Sequence, residues 1–311
     1  MISASTSHST APTVRSIHLG GAPYDPNGPV VARRIQDAVD LPDMLGHLRD
    51  LNGPRVVGTT QARAAAELIQ AKVKAIGGWD VTIENSGMGE GSESVPLHNV
   101  VATKRGTAPD AERGIVVGGA HFDTVRGSPG ANDDGTGVVA LLETAEALRD
   151  IPTRNDVRLV WFDGEEAGLL GSKAYVRQHA ADGPRTVGMI QAEMLASPQG
   201  APVMLFGGKT PVGAGQPVTE SARQLGIQLE VSKDRPWGSD HNPFSDVGIP
   251  SMVVSTTAPP PRRIMHDDPG YHSSGDTIEH LNTAHLSGMA DLIATSIHRY
   301  ATEPARLPQT P

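Results

Sequence analysis

The chain has 311 residues, 38% of them apolar and 20% charged, enough to bury the core of one large domain. A formal net charge of -9 lacks the basic footprint that nucleic acid or an acidic membrane requires, and no apolar run approaches the roughly 20 residues that span a bilayer. Zero cysteines exclude disulfides, a cysteine nucleophile and thiolate metal sites, so any metal would sit on His, Asp and Glu.

Residues 1–30 are rich in Ser, Thr, Pro and Gly without periodicity and predict a flexible N-terminal arm; 304–311 read as a short tail. The span 31–303 reads as a single domain. No apolar signal core occurs in the first 30 residues, which predicts a cytoplasmic location for the chain as it stands, or a secreted one if a leader was trimmed. From Val31 to Leu51 an amphipathic pattern broken at Pro42 predicts two short helices, and Gln61 to Ile76 predicts a third, stopped by Gly77-Gly78. Val81-Thr82-Ile83 and Asn99 to Ala102 read as strands with a Gly-, Glu- and Ser-rich loop between them.

Strands and helices then alternate. Strands are predicted over Gly114–Gly119, Val157–Phe162, Val187–Met194, Val203–Phe206 and Met252–Ser255, and helices over Gly135–Arg149, Gly168–His179, Pro217–Leu225 and Thr283 to about Tyr300. Continuous apolar strands such as Ile115-Val116-Val117 and Leu159 to Phe162 are expected to be covered on both faces. The fold class is therefore α/β, a three-layer sandwich in which helices cover both faces of a mostly parallel mixed sheet. Chemistry in such sheets collects beyond the carboxyl ends of the strands.

Four acidic or histidine clusters fall in that position. His121-Phe122-Asp123 ends one strand, where Asp123 can orient the imidazole of His121. Asn132-Asp133-Asp134-Gly135 opens a helix, with one carboxylate suited to bridging two cations and Asp134 to capping the helix or accepting hydrogen bonds. In Asp163-Gly164-Glu165-Glu166 adjacent glutamates point in different directions, so one can bind metal while the other moves a proton. Tyr271 to Asp276 is a late loop that can return a second histidine to the site.

These clusters resemble the zinc aminopeptidases of peptidase family M28, from about Arg55 to Tyr300. The motifs that carry the resemblance are Asn99 to Ala102, Ala120 to Thr124, Gly130 to Gly137, Trp161 to Tyr175, Ser239 to Phe244 and Tyr271-His272. The resemblance implies a zinc-exopeptidase-like fold and two zinc ions per chain bridged by Asp133. His121 and Glu193 would complete one site, Glu166 and His272 the other. It implies Glu165 as general base and Tyr271 as an oxyanion donor, with a pocket wall as its other reading. From the residues themselves, Asp123 is read as a support behind His121, Asp240 and His241 as supports behind the ligands or as loop-stabilising groups, and Asp276 as orienting a neighbouring loop or His272. The substrate implied is a peptide or acylated amino acid, with no nucleic-acid or membrane partner.

One residue departs from the family pattern. Where its aminopeptidases usually carry Asp, this chain has Glu193, within Ala192-Glu193-Met194-Leu195. The longer Glu can still reach a metal, but in the family's aminopeptidases the usual Asp also helps receive the substrate's amino group. A two-zinc deacylase or carboxypeptidase-like amidohydrolase therefore stands beside the aminopeptidase reading. A glutaminyl-cyclase-like single-zinc acyltransferase uses the same sandwich, and a non-catalytic binding module could keep the fold, although retention of the base and all five ligand-type residues argues against the module. The glycines of Gly135-Thr136-Gly137 are read as packing glycines rather than a dinucleotide fingerprint, because two aspartates precede them. His280, His285 and His298 are read as surface or packing residues. No His-Glu-x-x-His or Gly-x-Ser-x-Gly segment is present.

Overall fold

The computed structural model describes residues 25, 28–88, 94–232, 238–257 and 264–305. Most of the expected arm and tail, and the centre of the loop expected after Ile83, lie outside these residues. Helices α1 (Pro29–Ala38), α2 (Leu41–Leu51) and α3 (Thr60–Ile76) come first. Pro42 falls in the first turn of α2, where its missing N–H costs no helical bond, and Asp40 caps that turn by accepting from the Asp43 N–H at 3.0 Å. The helix α3 starts behind the Thr59 cap and stops at Gly77, whose φ of 77° favours glycine.

Eight strands form one sheet: β1 (Asp80–Met88), β2 (Val95–Lys104), β3 (Ile115–His121), β4 (Asp156–Phe162), β5 (Thr186–Glu193), β6 (Val203–Phe206), β7 (Glu230–Ser232) and β8 (Ser251–Ser255). Their order is β1-β2-β4-β3-β5-β8-β6-β7. The central β4, β3, β5 and β8 run parallel, while β1 and β2 join antiparallel at one side and β6 joins β8 antiparallel at the other. The first two strands are longer than predicted. Alternation in β1 is hidden by its polar composition, and its nine-residue register with β2 stabilises it instead.

The remaining helices are α4 (Thr136–Leu148), α5 (Leu170–Gln178), α6 (Gln216–Leu225), α7 (His241–Asp246), α8 (Ile264–Asp267) and α9 (Thr283–Thr302). Side chains alternate between the faces of the sheet, as a period of two requires. Val100, Val116, Leu159, Trp161 and Ile190 join the larger core with α3, α4 and α9, whereas Val101, Val117, Val160, Phe162 and Met189 meet Tyr175 of α5 and Phe244 of α7. Every residue of β3 is buried. Trp161, fully buried, satisfies its indole by donating to the Val138 carbonyl at 3.1 Å. The helix α4 can lie this close because Gly137 has no side chain; a Cβ there would stand 2.6 Å from the Ala192 carbonyl and collide with the Asp134 carboxylate. Among the described residues no helix is long and apolar enough to cross a membrane.

Glu143 is the charged residue among those buried on α4, 4% exposed, its carboxylate accepting the Asp40 N–H at 3.0 Å and so joining α4 to the start of α2. Burial, with smaller help from Asp43 and Asp40, pushes it up to about 7 against the pull of that N–H. The folded chain thus holds a proton that the unfolded chain has released above the ordinary value of 4.5. This stabilising contribution is complete below that value and is lost as pH rises through about 7. Glu143→Gln keeps an acceptor for Asp40, so its denaturant stability relative to the parent is expected to rise between pH 5 and 8, by up to about 3 kcal/mol. Parallel stability curves for the two proteins would contradict this.

Candidate metal centre

Three strand ends and two loops converge on one cleft of about 300 Å³. His121 is the last residue of β3 and Glu193 the last of β5; Glu165 and Glu166 follow β4. Asp133 sits in the turn that leads into α4, and His272 lies between α8 and α9. The parallel strands deliver these side chains to their common carboxyl edge, in line with the sequence pattern.

The donor atoms fall into two groups that share Asp133. In the first, His121 Nε2 is 3.2 Å from Asp133 Oδ1 and 3.5 Å from Glu193 Oε1. In the second, His272 Nε2 is 3.2 Å from Asp133 Oδ2 and 3.1 Å from Glu166 Oε2. Donors about 2.0–2.1 Å from a tetrahedral zinc lie about 3.3 Å from one another, which is the spacing of the histidine–carboxylate pairs in both groups. Their chemistry, imidazole nitrogen with carboxylate oxygen and no thiolate, also suits zinc. All five residues named from the sequence are thereby brought together, and Glu165 lines the same cleft without belonging to either group.

The supports behind these donors are specific. Asp123 Oδ1 accepts the Glu165 N–H at 2.9 Å and Oδ2 the Glu166 N–H at 3.2 Å, while His121 Nδ1 lies 3.4 Å from Oδ1. Asp134 turns away from the cleft and accepts from the N–H groups of His121, Gly137 and Met194. Of the two roles read from the sequence, Asp134 takes the hydrogen-bonding one, because the N-cap of α4 is Gly135. Asp276 accepts from the N–H groups of Asn132 at 2.7 Å and Asp133 at 3.1 Å, so it holds the Asp133 turn and not the His272 ring. Ser239 Oγ donates to Glu193 Oε2 at 2.7 Å. Asp240 is fully buried among His121, Asp123 and Glu193, beside Ser172. Tyr271 lines the cleft with its ring stacked on His272, centroids 3.7 Å apart.

Carboxylates and histidines crowd the cleft and shift one another. Burial disfavours a charged His121, yet Glu193, Asp123 and Asp133 around it raise its pKa well above 6.5. Burial likewise works against His272, but Asp133 and Glu166 push it up to about 10. Glu165 is raised well above 4.5, chiefly by burial, with Asp240, Glu193 and Glu166 adding to the shift against the pull of His121. Burial, helped by neighbouring carboxylates, pushes Asp240 and Asp276 up to about 7. So dense a set of perturbed groups in one cleft is a functional signature.

Sequence reading missed Arg55, Asn132, Ser239 and Asp268 as supports. Arg55, 3% exposed, donates to the carbonyls of Leu51, Gly53, Phe122, Pro129 and Gly130, pinning both ends of the segment between His121 and Asp133. Burial brings it down to about 10, so it stays charged beside Asp276, Asp123, Asp134 and Asp133. Asn and Asp in loops, which bond neighbouring backbone, were the available signal for Asn132, after β3, and Asp268, after α8. No signal marked Leu169 and Met194. With His272 they are the non-glycine residues of positive φ among those described, at 61°, 47° and 55°, and all three line the cleft.

Residues 99–297 match the model of peptidase family M28. Aminopeptidase YwaD of Bacillus subtilis is 31% identical over 201 residues, which cover 63% of this chain and 43% of that protein. Across the first curated relatives the chain spans between 43% and 64% of their length. The aminopeptidase of Aneurinibacillus sp. strain AM-1 superposes with a TM-score of 0.73 at 20% identity, covering 90% of this chain and 98% of that one. Glutaminyl cyclase of Porphyromonas gingivalis superposes with a TM-score of 0.71 at 22% identity, covering 84% and 98%. The α/β sandwich is thus one that aminopeptidases and a cyclase share.

Proposed function

The chain belongs to peptidase family M28, and from that premise we propose that it hydrolyses the amino-terminal peptide bond of peptides at a two-zinc centre, with Glu165 as general base. The observation that carries the reading is the sharing of Asp133 between two complete donor groups beside a glutamate that belongs to neither. His121, Asp133 and Glu193 would hold one zinc; Asp133, Glu166 and His272 the other. Zinc bound there would act as a Lewis acid that acidifies water and polarises the scissile carbonyl.

The protein's own groups do the rest. Glu165 takes the proton of the attacking water and delivers it to the leaving nitrogen, and its raised pKa makes it a competent acceptor. Asp123, through the N–H groups of residues 165 and 166, keeps the base and its metal-binding neighbour in fixed relation. Tyr271, raised well above 10 by burial and by Asp133 and Glu166, keeps its proton and can donate it to a developing oxyanion. Three carboxylates among the five donors leave one positive charge on two zinc ions, in favour of that oxyanion.

One observation favours the deacylase reading as second. Glu193 Oε2 is taken by Ser239 and Oε1 faces His121, so Glu193 has no spare oxygen for a substrate ammonium. The test is a zinc count together with a panel of free, N-acylated and C-blocked peptides. Two zinc ions and release of the first residue from unblocked peptides are expected. Hydrolysis of N-acylated substrates alone would move the assignment to the second reading, and one zinc with cyclisation of N-terminal glutamine would overturn both.

A further inference from the structure

The segments that carry Asp133, Glu193 and His272 meet at a single buried side chain, Asn132, which is 1% exposed. Its Nδ2 donates to Asp268 Oδ2 at 2.5 Å and to Ser197 Oγ at 3.0 Å. Its Oδ1 accepts from the Ala196 N–H at 3.0 Å and from Thr136 Oγ1 at 3.2 Å. Both amide protons are used and Oδ1 accepts a backbone N–H, which fixes the orientation of the amide, while the single Thr136 hydroxyl proton is shared between Oδ1 and the Asn132 carbonyl, 2.8 Å away. The Asn132 N–H adds a fifth bond, to Asp276 Oδ1 at 2.7 Å.

These partners are distributed in a telling way. Asp268 and Asp276 flank His272, Ala196 follows Glu193 by three residues, and Asp133 is the next residue along the chain. An Asp here would keep the bonds that Oδ1 makes but would press a carboxylate against Asp268. The site needs an acceptor on one side and a donor on the other, and only an amide of this size supplies both.

We propose that Asn132 is a positioning residue: it indexes the His272 loop and the segment after Glu193 to the Asp133 turn, and so fixes both donor groups to their shared carboxylate. This rests on the two-zinc reading above. Asn132 is not among the residues lining the cleft, and its effect is exerted through metal affinity.

The test is a zinc titration against a chromophoric chelator, giving number and affinity, on the parent, Asn132→Asp, Asp268→Asn and the double variant, with thermal unfolding of each metal-stripped protein. Asn132→Asp is expected to bind zinc about 10–100-fold more weakly. Asp268→Asn, which still offers an oxygen to the Asn132 amide, is expected to lose little. The double variant exchanges donor for acceptor across the same contact and is expected to recover most of the affinity, a rescue that a general structural defect would not give. Parent-like affinity in Asn132→Asp, or a double variant no tighter than that single one, overturns the proposal. If Asn132→Asp does not fold, Asp268→Ala decides by the same loss or retention of affinity. One zinc in the parent would overturn the two-zinc reading alone, since Asp133 donates to both groups and the weakening is then read at the filled site.

Discussion

Glu165→Gln is expected to lower kcat by about 10²–10⁴-fold while zinc content and KM stay near those of the parent. The expectation follows from how residue 165 is held. Its backbone N–H is fixed by Asp123, and its carboxylate belongs to neither donor group, so an isosteric amide leaves the scaffold and the ligands in place. What is removed is the capacity to take a proton. The neighbouring substitution separates the two roles: Glu166→Gln alters a donor paired with His272, so it is expected to lose zinc first and activity as a consequence. A Glu165→Gln enzyme that keeps full zinc and works within about tenfold of the parent would transfer the base role to another group. The acid limb of the pH–rate profile gives a second readout. It should be present in the parent and absent from the residual activity of the variant, because that limb reports the group that must be deprotonated.

The sheet and the donors were legible for the same reason. A parallel strand buried on both faces is written as an apolar run; β3 and β4 end such a run on His121 and just before Asp163, and β5, interrupted at Gln191, ends on Glu193. Polarity at the end of a run is conspicuous. The short β7 and the helices α7 and α8 were not read, because three to six residues carry too little periodicity to separate from a turn. The supports were hidden differently. Arg55 precedes Gly130 by 75 positions and Asn132 precedes Asp268 by 136, and no local pattern encodes contacts across such distances. Asp276 shows how a residue can be read as important with its partner left open: its place near His272 suggested the ring as one candidate, and the fold gave it the N–H groups of Asn132 and Asp133.

Asp133→Ala is expected to abolish zinc binding at both groups together and to reduce activity by about 10⁴-fold or more, since zinc supplies several kcal/mol of charge stabilisation. No other residue has this reach. Asp133 sends one oxygen to each histidine at 3.2 Å, whereas His121, Glu193, Glu166 and His272 each serve a single group. His272→Ala is therefore expected to leave the first group able to bind, and His121→Ala the second. Stability gives an independent measure, because an ion that binds only the folded chain stabilises it by about 2.7 kcal/mol at a hundredfold excess over its dissociation constant. Zinc should raise the melting temperature of the metal-stripped parent and leave that of Asp133→Ala unchanged. The single-histidine variants should show a smaller rise. An Asp133→Ala protein that still binds one zinc tightly would mean that one group stands without the shared carboxylate, and the bridged centre would have to be given up.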